Sequence, residues 1–251
     1  MRINTIASWL RPILAPLAPR RRAYPLARRL RVGVLLSWCG WLDALTELHG
    51  GTDKRAHGYL PFYRQHLGPR RHTRLRVLEI GVGMYESRGA GGSLAVWRDY
   101  CWRSELFGAD IHPKDIRLGR RVRFAQFDQS DAAAVARFAD SLECPLDVVI
   151  DDGSHVGSHI WTTFTTLFPR LRAGGLYIIE DLATSYWSEF GGAPEAPSTS
   201  SVALLRVLVN DAQKGDPSIG YYNREGPVVM FNDVAAVTVH PGIAFIRKVG
   251  P

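Results

Sequence analysis

Cysteine is scarce. Cys39, Cys101 and Cys144 stand far apart in a chain of 251 residues, and no CxxC pair occurs. That pattern excludes a disulfide framework and a cysteine-ligated zinc site, and it points to a reducing cytoplasm. Long apolar runs are also missing. Val32 to Leu42 is the one apolar stretch near the N-terminus, and Gly33, Ser37 and Gly40 interrupt it. It falls well short of the ~20 residues that span a bilayer, and no secretory leader is expected. Acid is absent from residues 1 to 42, which instead hold Arg2, Arg11, Arg20, Arg21, Arg22, Arg28, Arg29 and Arg31. With those eight set aside, 23 basic residues face 24 acids, so the net charge of +7 belongs to the N-terminal stretch. The body carries no basic stripe, and nucleic acid is not an expected partner.

Residues 1–50 are therefore read as an Arg-rich extension, broken by Pro12, Pro16, Pro19 and Pro25, and residues 51–251 as one domain. The first expectation for the extension is an arm packed on the domain or on a second subunit, in a homo-oligomer. The second is peripheral contact with an anionic membrane surface, since Trp9, Leu10 and Leu14 interleave with the arginines.

What the rest of the chain has is alternation. Arg74 to Ile80, Glu105 to Ile111, Arg121 to Phe127, Leu146 to Ile150 and Leu176 to Ile179 read as strands. Helices are expected between them, near Ser93 to Trp102, Ser130 to Leu142 and His159 to Leu171, the last ended by Ala173-Gly174-Gly175. A further helix over Ser201 to Lys214 precedes Ala235 to His240 and Ile243 to Lys248, which flank a Pro241-Gly242 turn as a closing hairpin. The pattern predicts an α/β fold: a doubly wound, seven-stranded, mostly parallel, Rossmann-like sheet with an antiparallel β-hairpin at its end.

Acids gather at the strand ends. Asp151 and Asp152 follow the fourth strand, with His155 three residues on, and Glu180 and Asp181 follow the fifth. Neighbouring strands lie about 4.8 Å apart, so carboxylates from both tips can reach one cation. Such a cluster is costly unless a divalent metal or a cationic ligand neutralises it. The first strand ends in Glu79-Ile80-Gly81-Val82-Gly83, where glycines let a ligand approach the backbone. A dinucleotide fingerprint needs a third glycine at 86, and Glu86 stands there, which argues against a nicotinamide dehydrogenase. A carboxylate at Glu79 suits a cofactor with a cationic end, such as the α-ammonium of S-adenosylmethionine. Asp110, after the second strand, is placed to accept ribose hydroxyls or to serve as a turn residue. Asp128 and Gln129, after the third, are placed at an adenine edge, with a helix cap as the other reading of Asp128.

These motifs carry a resemblance. Glu79-Ile80-Gly81-Val82-Gly83, Gly91-Gly92-Ser93-Leu94, Ile150-Asp151-Asp152-Gly153-Ser154-His155 and Ile179-Glu180-Asp181, with Thr52-Asp53-Lys54 upstream, resemble the class I S-adenosylmethionine-dependent sugar O-methyltransferases of macrolides and other glycosylated polyketides. The similarity runs from about Gly51 to Lys248 and implies magnesium dependence. It further implies metal ligation by Asp152, Glu180 and Asp181, with His155 as general base. The expected cofactor-binding set is Glu79, Gly81, Gly83, Ser93, Asp110, Asp128, Gln129 and Asp151.

Elementary chemistry fits that implication. A sugar hydroxyl is a poor nucleophile at neutral pH, and a divalent ion chelated by vicinal oxygens both acidifies and orients it. Oxygen ligands favour Mg²⁺. His159, one helical turn past His155, is read as structural. Ala183 to Ser200 reads as a lid, on which Tyr186, Trp187 and Phe190 are candidates for stacking on sugar faces or for packing the lid down. His57, Tyr59 and Tyr63 are candidates to close the cofactor from the other side, and Trp97, Tyr100 and Trp102 are expected to face the core. The acceptor is thus expected to be a sugar-containing small molecule or oligosaccharide. A catechol-like phenol is the second acceptor class, and a non-catalytic, cofactor-binding scaffold subunit is the reading outside enzymes.

Overall fold

The computed structural model describes residues 41–50, 52–83, 91–214 and 230–251. The Arg-rich stretch through residue 40, with both readings of it, and Glu86 lie outside the described residues. In chain order the elements are helices α1 (Leu42–His49) and α2 (Leu60–His66), strand β1 (Arg76–Ile80), α3 (Gly92–Tyr100), β2 (Glu105–Asp110), β3 (Val122–Gln126) and α4 (Ala132–Asp140). There follow β4 (Leu146–Asp151), α5 (Gly157–Leu167), β5 (Leu171–Ile179), α6 (Ser201–Gln213), β6 (Val234–His240) and β7 (Ile243–Lys248). The seven strands run in the order β3-β2-β1-β4-β5-β7-β6. The first five are parallel, while β7 is antiparallel to both of its neighbours. This is the expected doubly wound sheet with its closing hairpin.

Alternation along the strands builds two cores. Val77, Val148, Ile150, Ile178 and Phe245 point to one face, where they pack with Leu42, Leu60, Tyr63 and Trp97 from α1, α2 and α3. Leu78, Ile80, Val149, Tyr177, Ile179 and Ile246 point to the other, against Ile160 and Phe164 of α5 and Leu204 and Leu208 of α6. Successive side chains on a strand face opposite ways. Helices on both faces therefore require strands that are apolar at nearly every position, as these are.

Three local expectations are corrected. Helix α5 begins at Gly157 and ends at Leu167, earlier than Leu171. Pro169 carries the chain into a short 3-10 turn, Phe168–Arg170, and β5 begins at Leu171 rather than after the glycines. Leu146 pairs with Leu171 and Val148 with Leu176, so Arg172 to Gly175 form a bulge, with Gly174 at φ 72°. Trp97 and Tyr100 are buried, but Trp102 lies past the end of α3, exposed, with its Nε1 donating to His72 Nδ1 at 3.1 Å. Helix α1, on the N-terminal side of residue 50, buries Leu42 and Leu45 in the first core. No helix among the described residues is long and apolar enough to cross a membrane.

Candidate active site

The chain leaves β1 for β2 and β3 on one side and returns with β4 on the other, so β1 and β4 flank the topological switch point where such sheets bind ligands. Gly81 has φ 81°, and a side chain there would collide with the Asp152 carbonyl oxygen 1.9 Å from its Cβ. The β1 and β4 tips touch only because residue 81 is glycine. Above them opens a cleft of about 870 Å³. Its lining includes Gly81 and Gly83 after β1, Asp110 after β2, Asp128 and Gln129 after β3, Asp152, Ser154 and His155 after β4, and Asp181 after β5.

The residues expected on the cofactor divide into two groups. Gly81, Gly83, Asp110, Asp128 and Gln129 line the cleft. Asp110 Oδ1 accepts from the His112 amide at 2.9 Å, and Asp128 Oδ1 accepts from the amide and hydroxyl of Ser130 at 2.8 and 2.7 Å. Those two Ser130 bonds hold Asp128 below the usual carboxylate range. It is Asp131, not Asp128, that caps α4, through the amides of Ala133 and Ala134.

Glu79, Ser93 and Asp151 sit behind this surface. Glu79 is fully buried and accepts from Ser93 Oγ at 2.7 Å and Trp97 Nε1 at 3.1 Å. Asp151 accepts from Gln129 Nε2, Thr163 Oγ1 and Tyr177 Oη at 2.6, 2.5 and 2.8 Å. Burial pushes its carboxyl upward, against the pull of those three donors. Gln129 in turn accepts from the Ser154 amide at 2.8 Å. The first acid of the Asp151-Asp152 pair thus braces the loop from inside, and the second faces the cleft.

Lys54, quoted in the sequence only within Thr52-Asp53-Lys54, proves central. It is 2% exposed, and its Nζ lies 2.5 Å from Asp152 Oδ2, 2.7 Å from Glu180 Oε1 and 3.3 Å from Glu79 Oε1. Burial opposes its charge, but the three carboxylates outweigh burial and hold the ammonium well above its ordinary value. Tyr63 Oη also donates to Glu180 Oε1. Burial first, and repulsion from Asp152 second, push Glu180 up to about 8. His57 and Tyr59 stand at Asp181 rather than over the cofactor side: Tyr59 Oη donates to Asp181 Oδ1 at 2.7 Å, and His57 Nδ1 lies 3.4 Å from it.

Asp152, His155 and Asp181 each offer one ligand atom, all within 4.8 Å of one another. His155 Nε2 lies 3.6 Å from Asp181 Oδ2. His159 Nδ1 is 2.9 Å from Ser154 Oγ, a loop-bracing contact in keeping with a structural role. The segment expected to be a lid folds, from Leu182 on, into two 3-10 turns, Leu182–Tyr186 and Ser188–Phe190. It sets the Phe190 ring edge-on to His155 at 6.0 Å and leaves Tyr186 and Trp187 about half exposed.

The donor set suits a divalent cation. Three carboxylates, Glu79, Asp152 and Glu180, converge on Lys54, and a fourth, Asp181, stands between His57 and His155. The excess negative charge and the oxygen-rich donors match a hard metal ion.

No family model matches the chain. It is 41% identical over 210 residues to 8-demethyl-8-alpha-L-rhamnosyl tetracenomycin-C 2'-O-methyltransferase of Streptomyces olivaceus, an alignment covering 82% of this chain and 54% of that one. To mycinamicin VI 2''-O-methyltransferase of Micromonospora griseorubida it is 39% identical over 201 residues, 76% of this chain and 48% of the relative. The MycE methyltransferase of the mycinamycin pathway, solved with Mg, SAH and mycinamycin VI, superposes with a TM-score of 0.73 at 37% identity, covering 83% of this chain and 53% of that one. The chain is a homologue of sugar O-methyltransferases. Its sheet is the class I methyltransferase sheet, as its motifs predicted. The chain spans about half the length of the curated relatives it matches.

Proposed function

We propose that the chain is an S-adenosylmethionine-dependent O-methyltransferase that methylates a hydroxyl of a sugar in a glycoside, glycolipid or polysaccharide, with Mg²⁺ at the β4 and β5 tips. The convergence of Asp152, Asp181 and His155 on one point of the cleft carries this reading. The rhamnosyl acceptor named for the first relative, and O-methylation named for both, support it.

Asp152 and Asp181 would hold the cation from the cleft side, with Glu180, whose Oε1 meets Lys54 and Tyr63, as the third carboxylate. S-adenosylmethionine supplies the electrophilic methyl, and the cation supplies the charge that acidifies the acceptor hydroxyl and fixes vicinal oxygens. His155 accepts the hydroxyl proton at Nε2, and the adjacent Asp181 carboxylate stabilises the imidazolium so formed. Burial and the Asp181 carboxylate raise the Tyr59 phenol, so it stays protonated and keeps donating to Asp181. Gly81 and Gly83, which line the cleft, would let the cofactor approach the backbone, with Asp110 as the residue for its ribose and Asp128 and Gln129 for its base. Glu79, Ser93 and Asp151 support that surface from behind. The proposed setting is a reducing cytoplasm, where Cys101 and Cys144 stay free thiols. A homo-oligomer is the proposed assembly.

The test is a screen of glycoside and oligosaccharide acceptors with labelled S-adenosylmethionine and Mg²⁺, read by mass shift. A methylated sugar whose formation stops with EDTA is expected. Transfer to catechols alone, or transfer indifferent to EDTA, contradicts the proposal.

A further inference from the structure

Glu180 and Asp181 are consecutive, and both are met from helix α2. Tyr59 stands at the start of α2 and Tyr63 one turn on, so both phenols lie on one face of the helix. Tyr59 Oη donates to Asp181 Oδ1 at 2.7 Å, and Tyr63 Oη donates to Glu180 Oε1. Two ring stacks fix α2 to the closing hairpin: Phe62 on His240, with centroids 3.9 Å apart, and His66 on Phe245 at 4.1 Å. Gly242 in the hairpin turn makes room for the first phenol, since a Cβ there would stand 2.5 Å from Tyr59 Oη.

The helix thus takes one oxygen of each acid. Lys54 Nζ does the same for Asp152, donating to Oδ2 at 2.5 Å, and it lies 2.7 Å from the Glu180 Oε1 that Tyr63 also holds. Among the described residues no donor bonds the other three oxygens, Asp152 Oδ1, Glu180 Oε2 and Asp181 Oδ2. His155 Nε2 is 3.6 Å from the last of these, beyond the about 2.7–3.2 Å of a hydrogen bond from nitrogen. Each acid is tied by one oxygen and open at the other.

We propose that Lys54, Tyr59 and Tyr63 are positioning residues that limit each metal carboxylate to one oxygen and so make the site select Mg²⁺ over Ca²⁺, an inference that rests on the metal site proposed above. Mg²⁺ takes an octahedral shell at about 2.0–2.1 Å, whereas Ca²⁺ takes about 6–8 oxygens at about 2.3–2.6 Å and readily grips a carboxylate by both. Three acids that give one oxygen each fill half of an octahedron and leave the rest to water and vicinal acceptor hydroxyls. To chelate any of them by both oxygens, Ca²⁺ has to break a bond from Lys54, Tyr59 or Tyr63. Those bonds end on charged groups and are the stronger kind. The larger ion is short of ligands here, and the smaller one is not. At its shorter distance the smaller ion also polarises a hydroxyl more strongly.

The test is ion competition on the full chain, with no methyl transfer to read. Bound Mn²⁺, followed by electron paramagnetic resonance, is displaced with Mg²⁺ or with Ca²⁺ in the wild type, in Tyr59→Phe, and in Tyr59→Phe combined with His57→Ala. The second change removes the imidazole whose Nδ1 lies 3.4 Å from Asp181 Oδ1. The wild type is expected to favour Mg²⁺. Both variants are expected to shift that preference toward Ca²⁺, by roughly tenfold or more, as the loss of one hydrogen bond to a charged group implies. A purely structural role for Tyr59 weakens both ions alike and leaves the ratio where it was. Infrared spectra of the Mg²⁺-loaded wild type are expected to show the wide splitting of carboxylate stretches that one-oxygen ligation gives, a readout that needs no variant to fold. An unchanged Mg²⁺/Ca²⁺ ratio in the variants, or the narrow splitting of two-oxygen chelation, overturns this inference alone. A wild type that binds no Mn²⁺ overturns the proposed function with it.

Discussion

His155 and Asp181 face each other across the cleft, Nε2 to Oδ2 at 3.6 Å, and they are the two described non-glycine residues with positive φ, at 58° and 55°. Left-handed backbone at such residues costs about 1–3 kcal/mol each and persists where the surroundings impose it. Two loops from neighbouring strands each carry this strain to turn a side chain toward the same point. His155→Asn keeps a residue that tolerates the left-handed region and removes the proposed base. Methyl transfer is expected to fall by roughly 10²–10⁴-fold with an unchanged melting temperature. A variant that melts normally and retains nearly full rate contradicts the role of His155.

Lys54 is the cation of the acid cluster. Lys54→Met leaves Glu79, Asp152 and Glu180 buried without their shared partner, a change expected to cost about 3–5 kcal/mol in denaturant unfolding. Millimolar Mg²⁺ is expected to restore part of that loss, because it discharges the same carboxylates. Equal stability of the variant with and without Mg²⁺ contradicts a cation site at this cluster.

Acid sensitivity is expected at Asp99. Burial pushes its carboxyl up, but bonds from His49 Nε2 at 2.8 Å and Arg98 Nε at 2.7 Å outweigh burial and hold it below its ordinary value. A depressed carboxylate stabilises the fold above its unfolded pKa, near 3.8, and loses that contribution as pH falls through its folded value. The melting temperature of the wild type should therefore fall more steeply than that of Asp99→Asn as pH drops below 4. Parallel curves for the two proteins contradict this assignment.

Trp187 offers an exposed ring next to Phe190, whose own ring borders His155. If the lid receives a sugar face, Trp187→Ala raises KM for the acceptor by roughly 5–30-fold, the equivalent of about 1–2 kcal/mol of stacking, and leaves KM for S-adenosylmethionine unchanged. Equal increases in both constants indicate a packing role instead.

Much of this was legible because the information is local. Apolar runs ending in Asp151-Asp152 and Glu180-Asp181 mark buried parallel strands and their tips. The misplaced start of β5 has a nonlocal cause. Gly174-Gly175 reads as a helix terminator, yet pairing of Leu171 with Leu146 extends the strand past both glycines and turns them into a bulge. Lys54 was hidden for the same reason. A lysine in an irregular stretch looks like a solvated charge, and its burial is dictated by acids 25, 98 and 126 residues away in sequence, at Glu79, Asp152 and Glu180. Trp102 misled by continuing the helical spacing of Trp97 and Tyr100's neighbourhood past Cys101, where the helix has already ended.

The most direct measurement locates the ion. In crystals grown with Mn²⁺ and S-adenosylhomocysteine, the account predicts an anomalous peak within bonding distance of Asp152 and Asp181, beside His155, that is absent from Asp152→Asn crystals. Clear density for the nucleoside with no peak between those carboxylates, and Lys54 still bridging Asp152 and Glu180, contradicts it.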